Sequence, residues 1–225
     1  DMAPAAKDRV ISPVIRFLYN NFHVRLALYR AVRQMDRSLG FFEVMRAYEN
    51  ARARHQAAGQ KWRQVYEDAF ARAGDISVMF LGRPYTVLDP SMNKNIPRIF
   101  ATLGVRGFFQ DMTDLQKGDF SDIEPFLSEL HWNYAADIIK AAKQASETPG
   151  LYPVLMTSFK CSPDSFIREV FQSLMEGADK PYLILELDEH GSSVGYETRI
   201  ESAVRAFRNH AAQREQKIPE TRRIN

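Results

Sequence analysis

The chain has 225 residues, of which 45% are hydrophobic and 26% are charged, as in average soluble globular proteins. This composition argues against a disordered tail, a collagen-like fibre and a small disulfide-built protein. The formal net charge of +2 gives no indication of nucleic-acid binding, and no apolar run reaches the roughly 18 residues needed to cross a bilayer. We expect a cytoplasmic protein without a nucleic-acid or membrane partner.

The first part of the chain has the apolar spacing of helices and no strand pattern. A helix is predicted from about residue 12 to residue 33, with Ser12 as N-cap and Pro13 in its first turn. A second helix is predicted from about residue 41 to residue 73, with a weak point at Gly59 and a stop at Gly74. Residues 1–74 are therefore predicted to form a helical arm.

The pattern changes at Ile76, where short apolar runs begin to alternate with amphipathic helices. The predicted strands are 76–81, 105–110, 151–159 and 182–187, and the predicted helices are about 95–103, 129–146, 162–175 and 198–212. This order is typical of an α/β fold with an open, mainly parallel Rossmann-like sheet flanked by helices. Residues 75–225 are predicted to form this α/β domain.

Ligands of open parallel sheets bind beyond the carboxyl ends of the strands, where loops and helix N-termini converge. The loops at this edge begin at Gly82, Asp111, Lys160 and Asp188. We expect them to lie together and to form the site.

Cys161, the chain's one cysteine, stands between the third strand and the next helix. Ser162 is predicted to cap that helix, Pro163 fits its first turn, and Asp164 complements the helix dipole. A helix N-terminus favours the thiolate, which is both the nucleophilic and the metal-binding form of cysteine. An inert, buried thiol is the alternative interpretation.

Other polar residues of these loops suggest further chemistry. Asp188 and His190 are residue types that orient an imidazole, bind a metal or hold a hydroxyl group, and with Cys161 they would also make a nucleophilic triad. Arg83 and Arg199 are suited to clamping an anion, although an arginine near a helix start more often forms a structural ion pair. Thr198 and Glu201 have the spacing of a capping box.

Several motifs follow one another in a characteristic order. They are Gly82-Arg83-Pro84-Tyr85, Asp89-Pro90, Asn93, Ile96-Pro97, Leu151-Tyr152-Pro153-Val154, Ser158 to Phe166, Lys180-Pro181-Tyr182, Glu186 to His190, Gly195 and Thr198 to Glu201. With them the chain resembles the acyl-CoA dehydratase activase-related proteins of the 2-hydroxyacyl-CoA dehydratase and benzoyl-CoA reductase superfamily. The resemblance covers residues 76–207 well and the helical arm loosely.

The resemblance implies a cytoplasmic, oxygen-sensitive iron–sulfur protein that handles low-potential electrons. It assigns Cys161 as a ligand of a [4Fe–4S] cluster, and it implies ATP-hydrolysing activase domains or subunits as partners, in the same longer chain or in another. Because a cubane cluster needs about four protein ligands, the others must come from elsewhere. Ser162 departs from the glycine usual after this cysteine, which places a side chain where the backbone would approach closely.

The leading hypothesis is a domain of an acyl-CoA dehydratase-like or reductase-like system with acyl-CoA as a further ligand. Cys161 is its metal ligand, and the substrate- or anion-binding residues are Arg83, Tyr85, Asp164, Ser165, Asp188, His190 and Arg199. No catalytic residue is assigned. The alternatives are a non-catalytic scaffold that docks the activase through its helical arm, and a Cys-His hydrolase or transferase that works without iron.

Overall fold

The computed structural model describes residues 10–15, 21–130, 132–158, 161–188 and 193–217. Its α-helices are α1 Phe22–Met35, α2 Phe41–Phe70, α3 Pro84–Val87, α4 Ile96–Thr102, α5 Glu124–Glu129, α6 Asn133–Glu147, α7 Ser162–Gly177 and α8 Ser193–Lys217. Its strands are β1 Ser77–Leu81, β2 Arg106–Phe109, β3 Leu151–Ser158 and β4 Leu183–Leu187. In the described part of the chain, no helix combines the length and apolar character that a membrane crossing needs.

The chain divides into two compact units, Asp1–Lys61 and Trp62–Asn225. The described helices of the first unit are α1 and the greater part of α2, and α1 begins only after Asn21. A helix start at Ser12 is wrong, since the described residues 12–15 are not helical. Val14 and Ile15 are both exposed, so this segment lacks the tertiary packing that stabilises most helices in proteins. Gly59 does not interrupt α2.

The second unit contains a four-stranded sheet in the order β2-β1-β3-β4, and every neighbouring pair is parallel. This confirms the predicted open α/β fold. Ser77 of β1 is in register with Arg106 of β2 and with Leu151 of β3, so β1 and β3 are the two central strands. Their carboxyl ends therefore lie side by side in the middle of the sheet edge.

Both faces of the sheet are covered, which explains the nearly continuous apolar composition of β1 and β3. Alternate residues of β1 point to opposite faces: Val78 and Phe80 belong to a core cluster with Phe207 of α8, whereas Met79 belongs to a second cluster with Phe171 of α7. All five residues of β1 are buried. The sheet is thereby fixed as a rigid platform for the loops at its edge.

Several boundaries differ from the prediction. β2 ends at Phe109, and Gln110 begins a short 3-10 turn instead of continuing the strand. The helices α3 and α5 were not predicted, because four and six residues are too few for a clear apolar period. Since α8 begins at Ser193, Thr198 lies inside the helix and the predicted capping box is wrong.

Candidate functional site

The central part of the candidate site is the turn that follows β1. Gly82 lies at φ +150°, and a Cβ built on it would be 2.5 Å from the carbonyl oxygen of Met156 on β3. A residue with a side chain would push β1 and β3 apart, so the close approach requires glycine here. This turn directs the next residue, Arg83, towards the end of β3.

Gln110 holds the same turn from the other side. Its buried side-chain Oε1 accepts a hydrogen bond of 3.0 Å from the backbone N–H of Gly82. Its Nε2 is buried and has no hydrogen-bond partner among the described residues. Gln110 was not predicted as a site residue because it was assigned to the end of a strand; an amide side chain that closes an apolar run is the sequence signal for it.

Arg83 contacts three of the other predicted site residues. Its Nη2 lies 2.9 Å from Sγ of Cys161 and 2.5 Å from Oδ1 of Asp164, while its Nη1 donates a 2.7 Å hydrogen bond to the hydroxyl of Tyr85. Burial opposes the charge of Arg83, but Asp164, with Tyr85 and Cys161, outweighs it and raises the pKa of the guanidinium. The sequence placed these residues on separate loops, and the sheet brings them together.

Asp164 and Ser165 organise the start of α7. The Asp164 side chain is only 6% exposed, and its Oδ2 accepts a 2.9 Å hydrogen bond from the backbone N–H of Ser158 at the end of β3. The hydroxyl of Ser165 donates to the carbonyl oxygen of Cys161 at 3.1 Å. The N-cap position is Cys161, so the prediction that Ser162 caps this helix is wrong.

Cys161 is partly exposed and forms no disulfide. Its described polar partner is the guanidinium of Arg83, a charged hydrogen-bond donor. The thiol is therefore neither isolated nor packed only against apolar groups, as an inert structural cysteine would be. Arg83, from the loop that follows β1, supplies the polar contact described for this thiol.

The remaining predicted residues either have other described contacts or lie outside the described chain. Arg199 donates through Nη2 to the carbonyl oxygen of Ile184, near the beginning of the edge strand β4, at 2.6 Å. Asp188 follows β4, and its backbone N–H lies 3.3 Å from the hydroxyl of Tyr196. His190 lies outside the described residues.

Two carboxyl groups on other elements have raised pKa values. Asp111 follows β2, and burial raises its pKa. Burial also raises the pKa of Asp137 on α6, an effect that Lys140 opposes and the charge of Asp111 reinforces. Asp111 was predicted to begin a strand-end loop, whereas Asp137, which lies within a helix, was not predicted as a site residue.

The donor set limits what metal chemistry the described residues can support. Among them, no group of three or more His, Cys, Asp or Glu side chains is arranged to hold a metal ion. A [4Fe–4S] cluster normally takes about four thiolates. The described residues therefore do not by themselves supply the ligand set of such a cluster.

Comparison with protein families adds a relationship that geometry cannot supply. The family described as CoA enzyme activase uncharacterised domain matches residues 1–113, half of the chain. The chain belongs to this family. No curated protein and no solved structure matches it.

The family match agrees with the resemblance seen in the motifs. The matched region contains the helices of the first unit, the Gly82 turn, Arg83 and Gln110, whereas Cys161 and Asp164 lie beyond it. Arg83 and its partner Tyr85 therefore lie in the matched domain. Their partners Cys161 and Asp164 follow β3, which the sheet places beside β1.

Proposed function

We propose that this member of the CoA enzyme activase family acts as an iron–sulfur domain, with Cys161 supplying one ligand to a shared [4Fe–4S] cluster. The observation that carries the proposal is the contact between Arg83 and the Cys161 sulfur at 2.9 Å, at a partly exposed position before α7. The thiolate is the form of cysteine that binds iron, and Arg83 supplies a charged hydrogen-bond donor beside this sulfur. The other ligands come from further chain segments, another subunit or small thiols.

Asp164 supports this role by holding the guanidinium. Its carboxylate pairs with Arg83 and is itself anchored to the N–H of Ser158 at the end of β3. Hydrogen bonds to cluster sulfur tune reduction potential, so Arg83 would act on a bound cluster through the same contact. Tyr85 and Ser165, both at the same edge, would bind anionic groups of an acyl-CoA substrate.

We further propose that the domain functions in the cytoplasm with ATP-hydrolysing activase domains and acyl-CoA dehydratase-type partners in low-potential electron transfer. Support comes from the family match over residues 1–113 and from the ordered motifs of the α/β unit. Asp188, His190 and Arg199 complete the proposed substrate- or anion-binding set. Arg199 has the weakest support, because its guanidinium already binds the carbonyl oxygen of Ile184.

Anaerobic reconstitution tests the cluster proposal. The chain is incubated with iron, sulfide and excess small thiol, which can complete the ligand set, and bound iron, bound sulfide and the visible spectrum are measured. We expect Cys161→Ser to lose most of the bound iron. Ser173→Ala, a polar substitution on the same helix, should retain the wild-type amount. Equal iron contents in wild type and Cys161→Ser would contradict the proposal.

The scaffold hypothesis keeps support from the first unit. Phe22, Met35 and Phe42 are large apolar side chains that are 57%, 74% and 82% exposed. Such side chains suit a protein interface better than a surface that faces only water. If the unit docks an activase, Phe42→Ser weakens co-purification with it whereas Cys161→Ser does not. The opposite pattern would favour the cluster as the point of interaction.

A further inference from the structure

A small cavity lies at the end of α5, beside the first turns of α7. It has a volume of about 250 Å³ and is lined by Phe126, Glu129, Leu130, Trp132 and Phe166. None of these side chains is among the proposed cluster, substrate or anion-binding residues. The cavity is therefore a separate feature, and its role is independent of the iron–sulfur proposal.

Three aromatic rings give the cavity its shape. Phe126 and Phe166 are stacked with ring centroids 5.9 Å apart and planes 22° apart. The ring of Trp132 is nearly perpendicular to that of Phe166, at 88°, with centroids 6.4 Å apart. Rings set at right angles form a corner whose π faces attract a cation placed within about 6 Å of a centroid.

These rings are unusually accessible for aromatic side chains. Trp132 is 50% exposed and Phe166 is 47% exposed. Leaving two large rings in water is unfavourable by the hydrophobic effect, and clustered exposed aromatics are typical of interaction sites. The cluster is accessible to a partner without any rearrangement of α5 or α7.

Two described glutamates stand close to the rings along the chain. Glu129 is exposed and has neither an ion-pair nor a hydrogen-bond partner within the residues that the structure describes. Glu169 follows Phe166 by three residues, which places both on one face of α7. The nearby cation Arg168 is paired with Glu186. The cavity thus combines π faces and an uncompensated carboxylate, both of which favour a cation.

We propose that this aromatic corner binds a lysine or arginine side chain presented by a partner protein. A volume of about 250 Å³ is below the roughly 300–1,000 Å³ of pockets that enclose whole small molecules, but it accommodates a single side chain. The aliphatic stem would cover Leu130 and the rings, and the charged end would meet Glu129. Arginine is among the residue types most enriched at interface hot spots, as is tryptophan.

Trp132 provides a direct reporter. The chain has two tryptophans, so Trp62→Phe leaves Trp132 as the single tryptophan fluorophore. This variant is titrated with glycine pentapeptides that carry lysine, arginine or the neutral isostere norleucine at the centre, and with tetramethylammonium, at constant ionic strength. We expect saturable changes in emission with the lysine and arginine peptides and at least about fivefold weaker binding of the norleucine peptide.

Matched variants locate the effect. Glu129→Gln should weaken lysine-peptide binding by about fivefold, whereas Glu124→Gln, on the same short helix but outside the cavity lining, should not. Phe166→Leu should also weaken binding, and circular dichroism checks that each variant is folded. Equal binding of the norleucine peptide, binding of tetramethylammonium alone, or no saturable change with a folded protein would each overturn the proposal.

Discussion

Lys180, in the Lys-Pro-Tyr motif before β4, allows a quantitative test of how the fold handles a buried charge. The residue is only 4% exposed, and its Nζ donates to the carbonyl oxygens of Ala145 at 2.7 Å and Thr148 at 2.5 Å. Burial, followed by the positive charge of Arg214, lowers the pKa of Lys180 to about 7 from its ordinary 10.5.

The sign of the resulting pH dependence follows from proton binding. Between pH 7 and pH 10.5 the unfolded chain keeps the Lys180 proton while the folded chain releases it, so the free energy of unfolding rises with pH. Each pH unit inside this interval contributes up to about 1.4 kcal/mol. From pH 6 to pH 9, with the folded group titrating near 7, the gain from this residue is up to about 2.7 kcal/mol.

Lys180→Met keeps an unbranched side chain and removes the titrating group. Urea unfolding of both proteins, followed by circular dichroism from pH 6 to pH 9, gives the difference in unfolding free energy. We expect this difference to widen in favour of wild type by about 2–3 kcal/mol across the range. Lys117→Met, whose parent side chain is 82% exposed, is the control and should show no such trend. A constant difference for Lys180→Met would refute the reasoning.

Three further predictions concern the site and its surroundings. Gly82→Ala should lower stability by about 3 kcal/mol or more in thermal unfolding, because the φ of Gly82 is +150° and the new Cβ would meet the carbonyl oxygen of the neighbouring strand. Gly59→Ala, whose new Cβ meets nothing within 4 Å, should instead stabilise α2 by about 0.5–1 kcal/mol. Arg83→Met leaves the buried carboxylate of Asp164 without its cation and should lower the free energy of unfolding in urea by about 2–4 kcal/mol. A decrease below about 0.5 kcal/mol would show that the ion pair is not stabilising. Asp137→Asn should raise the Tm at pH 7, because burial raises the pKa of this carboxyl and its ionisation therefore costs stability. The gain in Tm should disappear at low pH, where the wild-type carboxyl is protonated. An equal gain at both pH values would contradict this prediction.

The alternation of strand and helix was predictable because both central strands are buried on both faces. Continuous apolar runs such as Ser77–Leu81 are the sequence signature of that burial, and β1 and β3 were predicted correctly within a residue of their described ends. Prediction failed where packing was the deciding factor. The segment with Val14 has an apolar helical pattern, yet its exposed side chains gain nothing from a helix.

The candidate site, like the fold, was predictable in its residue types but not in its packing. Strand ends and the residue types that follow them pointed to Arg83, Tyr85, Cys161, Asp164 and Ser165, because carboxyl ends of parallel strands share one edge. Distances between these side chains depend on strand order, which the spacing of motifs does not contain. Arg199 illustrates the limit, since only the packing of α8 shows that its guanidinium binds the backbone of β4.

By itself, the sequence determined the α/β class, the parallel sheet, the lone cysteine before a helix and the family motifs, since apolar periodicity and residue identity are local properties. Tertiary structure decided that β1 and β3 are adjacent, and this adjacency places Arg83 against Cys161 and Asp164. It also decided that Lys180 is buried and that Trp132 and Phe166 meet in an exposed corner. These pairings join residues far apart in the chain, so they depend on which surfaces pack together and not on local pattern.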